Sequence, residues 1–423
     1  MNEVEIAVVG AGTAGSVVAA HLGQQGYRVL LLDRKRKAKI GQKVCGNGLG
    51  TDHLRHLYHD GLINSIDALV ESFPAAVTIR TQDYAANFPL KNRLGIVNRD
   101  ALGTELLNAA GEVTDVLDQC KVIAIKKAAK SSLQLQTTTG TITAQYCIDA
   151  AGFRSPLQSY HYAAGEAYAC YRAYLPTMSN QDSTMYFWFS IAKTGGGYIW
   201  DFPQGDFTRN IGLGVPKGKG LSPARQWTAI YGNSSNGQGG HVPTRRPFPS
   251  LFTHPRLLHI GDAGNTVNPW HGGGLSPGIE VARYIGAQGL QLDAFPAQNA
   301  ERINRFFWKT YGKRYAFLDL FRLLLQQIPN DQVLSSFFRR LPLKALFFAK
   351  RADELHSMLQ NLNFDDNPWL SKLQQTADQL MTHLKPVSAE SASNFNWRSL
   401  TFWQTYDRIY VDYQRDLQQL KER

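Results

Sequence analysis

A chain of 423 residues that is 43% hydrophobic and 19% charged has material for two or three domains, and its composition argues against disordered and collagen-like classes. Its net charge of +11 admits nucleic acid, anionic lipid or an anionic substrate as partner. Cys45, Cys120, Cys147 and Cys170 show no CxxC or His-Cys spacing, which argues against a disulfide framework or zinc site and for a reducing cytoplasm.

The opening MNEVEIAVVG has no basic n-region, so no signal peptide is expected, and no apolar run is long enough to predict a membrane-spanning helix. Ile6, Ala7, Val8 and Val9 read as a buried strand. A glycine turn and a helix carrying Val17, Val18, Ala20 and Leu22 follow, then a second buried strand from Val29 to Leu32. GQKVCGNGLG is a glycine-bearing loop, residues 77–97 read as short strands, and Arg99 to Ala110 as a helix. Residues 121–150 read as a hairpin returning to a buried strand, YCIDA, and 165–215 as all β. GNSSNGQGGHV (232–242) reads as a flexible loop by composition. After LLHIGDAG a long helix starts near Pro277, and the last 120 or so residues read as helical. No internal repeats are present.

Strand-helix-strand pieces interrupted by β segments predict an α/β fold: a discontinuous Rossmann-like dinucleotide-binding domain with an inserted antiparallel β-sheet domain and a C-terminal helical region. The expected boundaries are 1–75, 97–163 and 243–300 for the first domain, 76–96 and 164–242 for the second, and 301–423 for the third.

GAGTAG places Gly10, Gly12 and Gly15 in G-x-G-x-x-G. The first glycine permits the turn, the second lets backbone approach a pyrophosphate, and the third lets helix and strand pack closely. The helix start offers free N–H groups to phosphates. Asp33 ends the second strand, where a carboxylate can accept from ribose hydroxyls; Ala14 and Arg34 flank these positions in the same expected cradle. A glycine turn without a ligand is the competing reading.

The motif alone does not choose between NAD and FAD. CIDAAGFRSPL, with Asp149, Gly152 and Ser155, and LLHIGDAGNTVNPWHGGGLSPGIE, with Gly261 and Asp262, together resemble the FAD-dependent family that includes aromatic hydroxylases and geranylgeranyl reductases. In that family the Gly-Asp pair binds the ribityl and phosphate part of FAD, and Asp149 and Gly152 join the cofactor site. Asp262 can accept from ribityl hydroxyls, and the Asn268-Pro269 corner can face the isoalloxazine ring. Gly272, Gly273 and Gly274, with Leu275 after them, can bring backbone N–H groups to its pyrimidine edge. Pro277 suits the first turn of a helix whose positive end favours the reduced flavin anion. Arg99, just before a helix, matches the family's cofactor-contacting arginine; a solvated helix-start residue is the plainer reading.

Two stretches resemble the geranylgeranyl reductases in particular. QKVCGNGLG is similar to their KVCGEGL-type loop, which implies Cys45 and Gly46 beside the flavin; Asn47 stands where the family often has an acid. YIWDFP fits the Y-x-W-x-F-P fingerprint at Tyr198, Trp200, Phe202 and Pro203, whose alternate side chains can line one side of an apolar substrate pocket or belong to a core. Cys45 is a proton donor or a packing wall in this reading. The histidines at 53, 56, 59 and 21 form no ligand set by spacing, and no metal is expected.

The resemblance covers roughly residues 1–290 and implies an FAD-dependent reductase that saturates C=C bonds of an isoprenoid chain on a lipid, diphosphate or quinone. A flavin-dependent monooxygenase or halogenase acting on an aromatic or polyketide substrate is the alternative, and a non-enzymatic flavin carrier a third. The electron donor, NADPH or a reduced carrier, is left open because no nicotinamide motif is evident, and the oligomeric state is open too. Residues 301–351 hold eleven Lys and Arg against three Asp and Glu, interleaved with aromatics and leucines. This reads equally as an amphipathic surface for anionic membrane, at the inner face of the cell membrane, or as a helical cap with a solvated basic face. No nucleic-acid fold accompanies the charge.

Overall fold

The computed structural model describes residues 3–128, 131–177, 183–388, 395–397 and 399–422. Residues 178–182 of the expected β region and 389–394 of the expected helical region lie outside these.

β1 (Glu3–Val9) runs into Gly10, α1 (Thr13–Gln24) and β2 (Val29–Leu32). Gly10 lies at φ +100°, and a Cβ there would sit 2.5 Å from the Ala150 carbonyl oxygen, so only glycine turns the chain at this point. At Gly15 a Cβ would lie 1.8 Å from the Gly10 oxygen, which is why α1 packs so closely on the sheet. The Cys45 loop leads into β3 (Gly48–Gly50) and α2 (Thr51–His59), followed by β4 (Val70–Ser72), β5 (Ala76–Arg80), β6 (Ala85–Pro89) and β7 (Leu94–Val97). α3 (Arg99–Val113) is capped by Asn98, whose side chain accepts from the Asp100 and Ala101 N–H groups. β8 (Asp115–Leu117), β9 (Val122–Ala128), β10 (Leu133–Thr137) and β11 (Gly140–Asp149) complete the first half.

The second half opens with β12 (Ala167–Pro176), β13 (Thr184–Trp188), α4 (Ile191–Thr194), β14 (Tyr198–Pro203) and β15 (Thr208–Pro216). α5 (Pro223–Tyr231), β16 (Gln238–Pro243), β17 (Phe252–His254), β18 (Leu257–His259) and α6 (Leu275–Tyr284) follow. The remaining helices are α7 (Pro296–Phe307), α8 (Lys313–Leu325), α9 (Asp331–Arg340), α10 (Leu343–Phe348), α11 (Ala352–Gln360), α12 (Pro368–His383), α13 (Lys385–Ser388) and α14 (Leu400–Glu422).

Three sheets result. The first orders its strands β17-β18-β11-β1-β2-β8, with β10 and β9 added beside β11. Its centre, β18-β11-β1-β2-β8, is parallel and flanked by α1, α3 and α6, which explains the unbroken apolar runs of β1 and β2. The second orders β16-β12-β15-β14-β13-β5-β6 and is antiparallel except where β13 lies parallel to β5. β3, β7 and β4 form a small third sheet, so Leu94–Val97 does not join β5 and β6.

One sequence expectation is corrected. The stretch 232–242 is a loop only in its first half, because β16 pairs with β12 from Ala167–Pro243 to Arg172–Gln238. Its glycines read as loop, yet an edge strand is held by backbone bonds and does not need side chains to pack. The apolar side chains of 301–351 turn inward: α8 is buried along its whole length except at Arg314, and Phe307, Trp308, Phe337 and Phe338 are buried too. This is the packing of a cap. Arg322 pairs with Asp319 at 2.5 Å and donates to the Gly165 oxygen at 2.6 Å, tying α8 to the β12 end of the second sheet. Arg246 on Asp407 (2.6 Å) and the Tyr410 hydroxyl on the Ala316 oxygen (2.6 Å) hold α14.

Candidate active site

The first turn of α1 begins at Gly12, which gives no side-chain cap, so the opening N–H groups of the helix have no partner from the N-cap. A Cβ built on Gly12 meets nothing within 4 Å. Beside it, the Arg99 guanidinium donates to the Thr13 hydroxyl at 3.0 Å, while its Nε is buried without a hydrogen bond. Burial pulls the Arg99 pKa below its ordinary value, against the pull of Cys45, Asp100 and Asp262 nearby. A buried cation without an ion-pair partner among the described residues, open space over Gly12 and a bare helix start fit the pyrophosphate of a dinucleotide. Asp33 accepts from the Ala11 N–H at 2.9 Å and from the Lys35 N–H at 2.8 Å, fixing its carboxylate at the end of β2; Arg34 is exposed next to it. Ala14 faces both Gly261 and Gly278, where a Cβ would come within 3.6 and 3.8 Å of its methyl group. The early glycine motif and the late Gly-Asp motif therefore meet.

Gly261, at φ +61°, turns the chain into Asp262, whose Oδ2 accepts from the Lys43 ammonium at 2.5 Å. The loop then closes on itself. The Gly272 N–H donates to the Asn268 oxygen at 2.9 Å, and the Asn268 N–H to the Gly273 oxygen at 3.1 Å. The Gly272 N–H is thus taken by the loop and not presented to a ring, which corrects the sequence expectation; Gly274 is the N-cap of α6, and the N–H groups after it begin the helix. Pro269 is buried within this corner. Asp149 also departs from expectation. Its fully buried carboxylate accepts from Ser155 Oγ (2.6 Å) and the Ala151 N–H (3.0 Å) and meets His259 Nδ1 (2.7 Å), so it braces the β11 turn. Gly152, at φ +82°, follows it with open space at its Cβ position.

The remaining predicted residues converge from β14 and the Cys45 loop. Gly46 lies against the aromatic face: a Cβ there would come 2.6 Å from Phe202 and 3.5 Å from Trp200. Trp200 donates through its indole N–H to Asn210 Oδ1 at 3.1 Å, and Asn210 Nδ2 donates to the Cys45 oxygen at 2.9 Å. Cys45 Sγ accepts from the Asn47 N–H at 3.3 Å. Asn47 takes φ +65°, in the left-handed region where asparagine is tolerated, and donates to Tyr174 (3.0 Å) and Gln204 (2.9 Å). The Tyr198 hydroxyl donates to the His271 backbone oxygen, linking β14 to the glycine turn, and burial holds that hydroxyl protonated well above the ordinary tyrosine range. Pro203 ends the strand, its oxygen accepting from Ser72 Oγ at 2.7 Å.

The apolar face expected to border a cavity packs against other rings. Tyr198 and Phe202 meet Phe187 at 5.5 and 5.1 Å, and Phe187 meets Phe347 of α10 at 5.2 Å. His271 stacks on Phe347 at 5.9 Å and 10°. Burial, then the charge of Arg314, brings the His271 imidazole down to about 4, so it is neutral at pH 7. Lys43, Asn210, Gln204 and His271 were not foreseen. Only Lys43 and His271 carried a signal, as neighbours of Cys45 and of the glycine run.

Fold and site together define an FAD-dependent oxidoreductase. The family model of the NAD(P)-binding Rossmann-like domain matches residues 8–41, and that of the geranylgeranyl reductase catalytic domain matches 166–237. The chain is 27% identical to the digeranylgeranylglycerophospholipid reductase of Sulfolobus acidocaldarius over 78% of its own length and 79% of that protein. It is 25% identical to digeranylgeranylglycerophospholipid reductase 1 of Methanopyrus kandleri, over 87% and 99%. A geranylgeranyl bacteriochlorophyll reductase-like protein from Thermoplasma acidophilum shares the fold at TM-score 0.72 and 17% identity, over 88% of this chain and 100% of that one. The myxobacterial chondrochloren halogenase shares it at 0.58 and 17%, over 90% and 98%. In its 166–237 segment and along most of its length the chain is similar to geranylgeranyl reductases.

Proposed function

We propose that this protein uses FAD to saturate C=C bonds of isoprenoid chains, and that the chain it reduces is carried by a glycerophospholipid-like head group. One observation carries the reading: the segment matched by the reductase domain includes β12, β14 and β15, and its Tyr198-Trp200-Phe202 face meets both the Cys45-Gly46 loop and the His271-Gly272 turn. FAD, when bound, supplies the hydride for one alkene carbon.

The chain's own residues do the rest. Arg99, Thr13 and the α1 start hold the diphosphate; Asp33 and Asp262 accept from sugar and ribityl hydroxyls. The α6 start favours negative charge beside it. Cys45 holds a proton at Sγ for the second alkene carbon, positioned by the Trp200–Asn210 pair through its own backbone oxygen. Phe187, Tyr198, Phe202 and Phe347 exclude water and align an apolar chain.

The lipid reading draws on α10. Its Phe347 faces the aromatic cluster, while Lys344 on the same helix and Lys350 and Arg351 just past it are exposed. These cations would hold the protein at an anionic membrane surface while the prenyl chain enters behind them. No helix among the described residues is long and apolar enough to cross a membrane.

The test is anaerobic incubation of dithionite-reduced protein with prenyl lipids, diphosphates and quinones, read by mass spectrometry. A gain of one H2 per double bond on the phospholipid is expected. Unchanged prenyl lipids, with oxygen-dependent hydroxylation or halogenation of an aromatic compound instead, would replace this reading by the monooxygenase one.

A further inference from the structure

Away from the flavin cradle, three side chains that the sequence separates come together. His53 and His56 lie one turn apart on α2, and Glu280 lies on α6. His53 Nδ1 is 3.1 Å from Glu280 Oε2 and His56 Nδ1 is 3.9 Å from the same oxygen, and one ligand atom from each residue lies within 4.8 Å of the others. Both Nδ1 atoms are buried from solvent, yet neither has a partner in hydrogen-bond geometry. The two imidazole nitrogens and the carboxylate oxygen crowd one small volume, and a single cation there would give both nitrogens the partner they lack.

We propose that His53, His56 and Glu280 form a binding site for a first-row divalent metal, Zn²⁺ foremost, that cross-links α2 to α6. The donor set, two imidazole nitrogens and a carboxylate, is one that suits zinc and its neighbours more than calcium or magnesium. Tetrahedral ligands at about 2.0–2.1 Å from zinc stand roughly 3.4 Å apart. Small side-chain rotations bring the trio to that spacing. The half-exposed His56 leaves water access for a fourth ligand. Arg283, the nearest cation on α6, is neutralised by a two-point pairing with Asp60, which also meets His21 at 3.2 Å.

The location gives the site a consequence. A Cβ on Gly50 would touch His53 at 3.1 Å and come within 3.8 Å of Ser276 Oγ, so the trio stands one turn behind the α6 start. Metal there would clamp the helix that follows the Cys45 loop to the helix that starts after Gly274. This inference stands independently of the substrate.

The test uses the full-length flavoprotein, stripped with a chelator and titrated with Zn²⁺ against a chromophoric competitor, with Co²⁺ as a spectroscopic substitute. One equivalent is expected to bind, with a tetrahedral-type visible Co²⁺ spectrum. Binding should weaken at least about ten-fold in H53A, H56Q and E280Q, whose FAD content reports that they are folded. H56Q changes the exposed member and keeps the test readable if H53A fails to fold. Absence of stoichiometric binding, or equal binding by H56Q and E280Q, overturns the proposal. So would a pH-dependent stability change in E280Q without metal binding, which would mark a plain His-Glu pair.

Discussion

Arg99 is a buried guanidinium whose hydrogen bond to Thr13 leaves Nε without a partner. Burying such a charge costs free energy that only an anionic ligand recovers. Arg99→Leu should therefore leave the FAD-free protein as stable as before or more so, and weaken FAD roughly 10- to 100-fold. Thermal melts and flavin titration on the same samples separate the two effects. The glycines make a similar contrast. Gly12→Val adds a side chain where nothing stands, so the protein should fold but stay colourless, whereas Gly15→Ala should cost about 3 kcal/mol or more through its collision with the Gly10 oxygen. His271 titrates at about 4 in the fold against 6.5 when free. A depressed folded value means the stability it allows is complete above 6.5 and is lost as pH falls from 6.5 to 4, with no further change below. The bound is about 3 kcal/mol, reduced by partial exposure. His271→Asn should flatten the stability profile in that window; an unchanged profile would place the imidazole in water.

At the level of elements, β14 is the hinge of the site. It presents three aromatic side chains on one face, and each is fastened to something different: Tyr198 to the His271 oxygen, Trp200 to Asn210, and Phe202 against Gly46. Gly212 on β15 leaves the space that the Trp200 ring fills, since a Cβ there would come 2.1 Å from it. Trp200→Phe keeps most of the ring volume but strands the Asn210 oxygen, a loss of about 1–3 kcal/mol. If Asn210 positions Cys45, that variant should lower kcat more than it raises KM for prenyl lipid, and keep its flavin. A uniform loss of folded protein would mark Trp200 as core alone. The Cys45 loop had a clear motif, but its partner Asn210 sits in RNIGLGV, a stretch whose residues read as ordinary strand.

Across the whole molecule, the helical third packs on the aromatic face of the second sheet through Phe347. α8 is buried by its neighbours and carries the Asp319–Arg322 pair inside, while α10 lays Phe347 on His271. The net charge of +11 then matters through what stays outside. Lys344, Lys350 and Arg351 are exposed beside that helix. Binding to vesicles of anionic phospholipid should fall steeply with salt, and K344E/K350E should reduce it without altering flavin content. Vesicle binding that ignores both salt and substitution would remove the membrane proposal and leave the helices as a cap.

The glycine spacing of GAGTAG, the buried runs of β1 and β2 and the alternation of YIWDFP were legible along the chain, because backbone turns and strand periodicity act over a few residues. The resemblance of distant motifs to one family added the cofactor and reaction class. What the chain order hid was pairing. Asp149 looked like a ligand for the cofactor until His259, 110 residues on, was found against it. Glycine-rich β16 looked like loop until β12 supplied its hydrogen bonds, and His53 and His56 had no carboxylate beside them until α6 brought Glu280 across. Each of these depends on contacts between segments far apart in sequence, which only the packed tertiary structure brings within bonding distance.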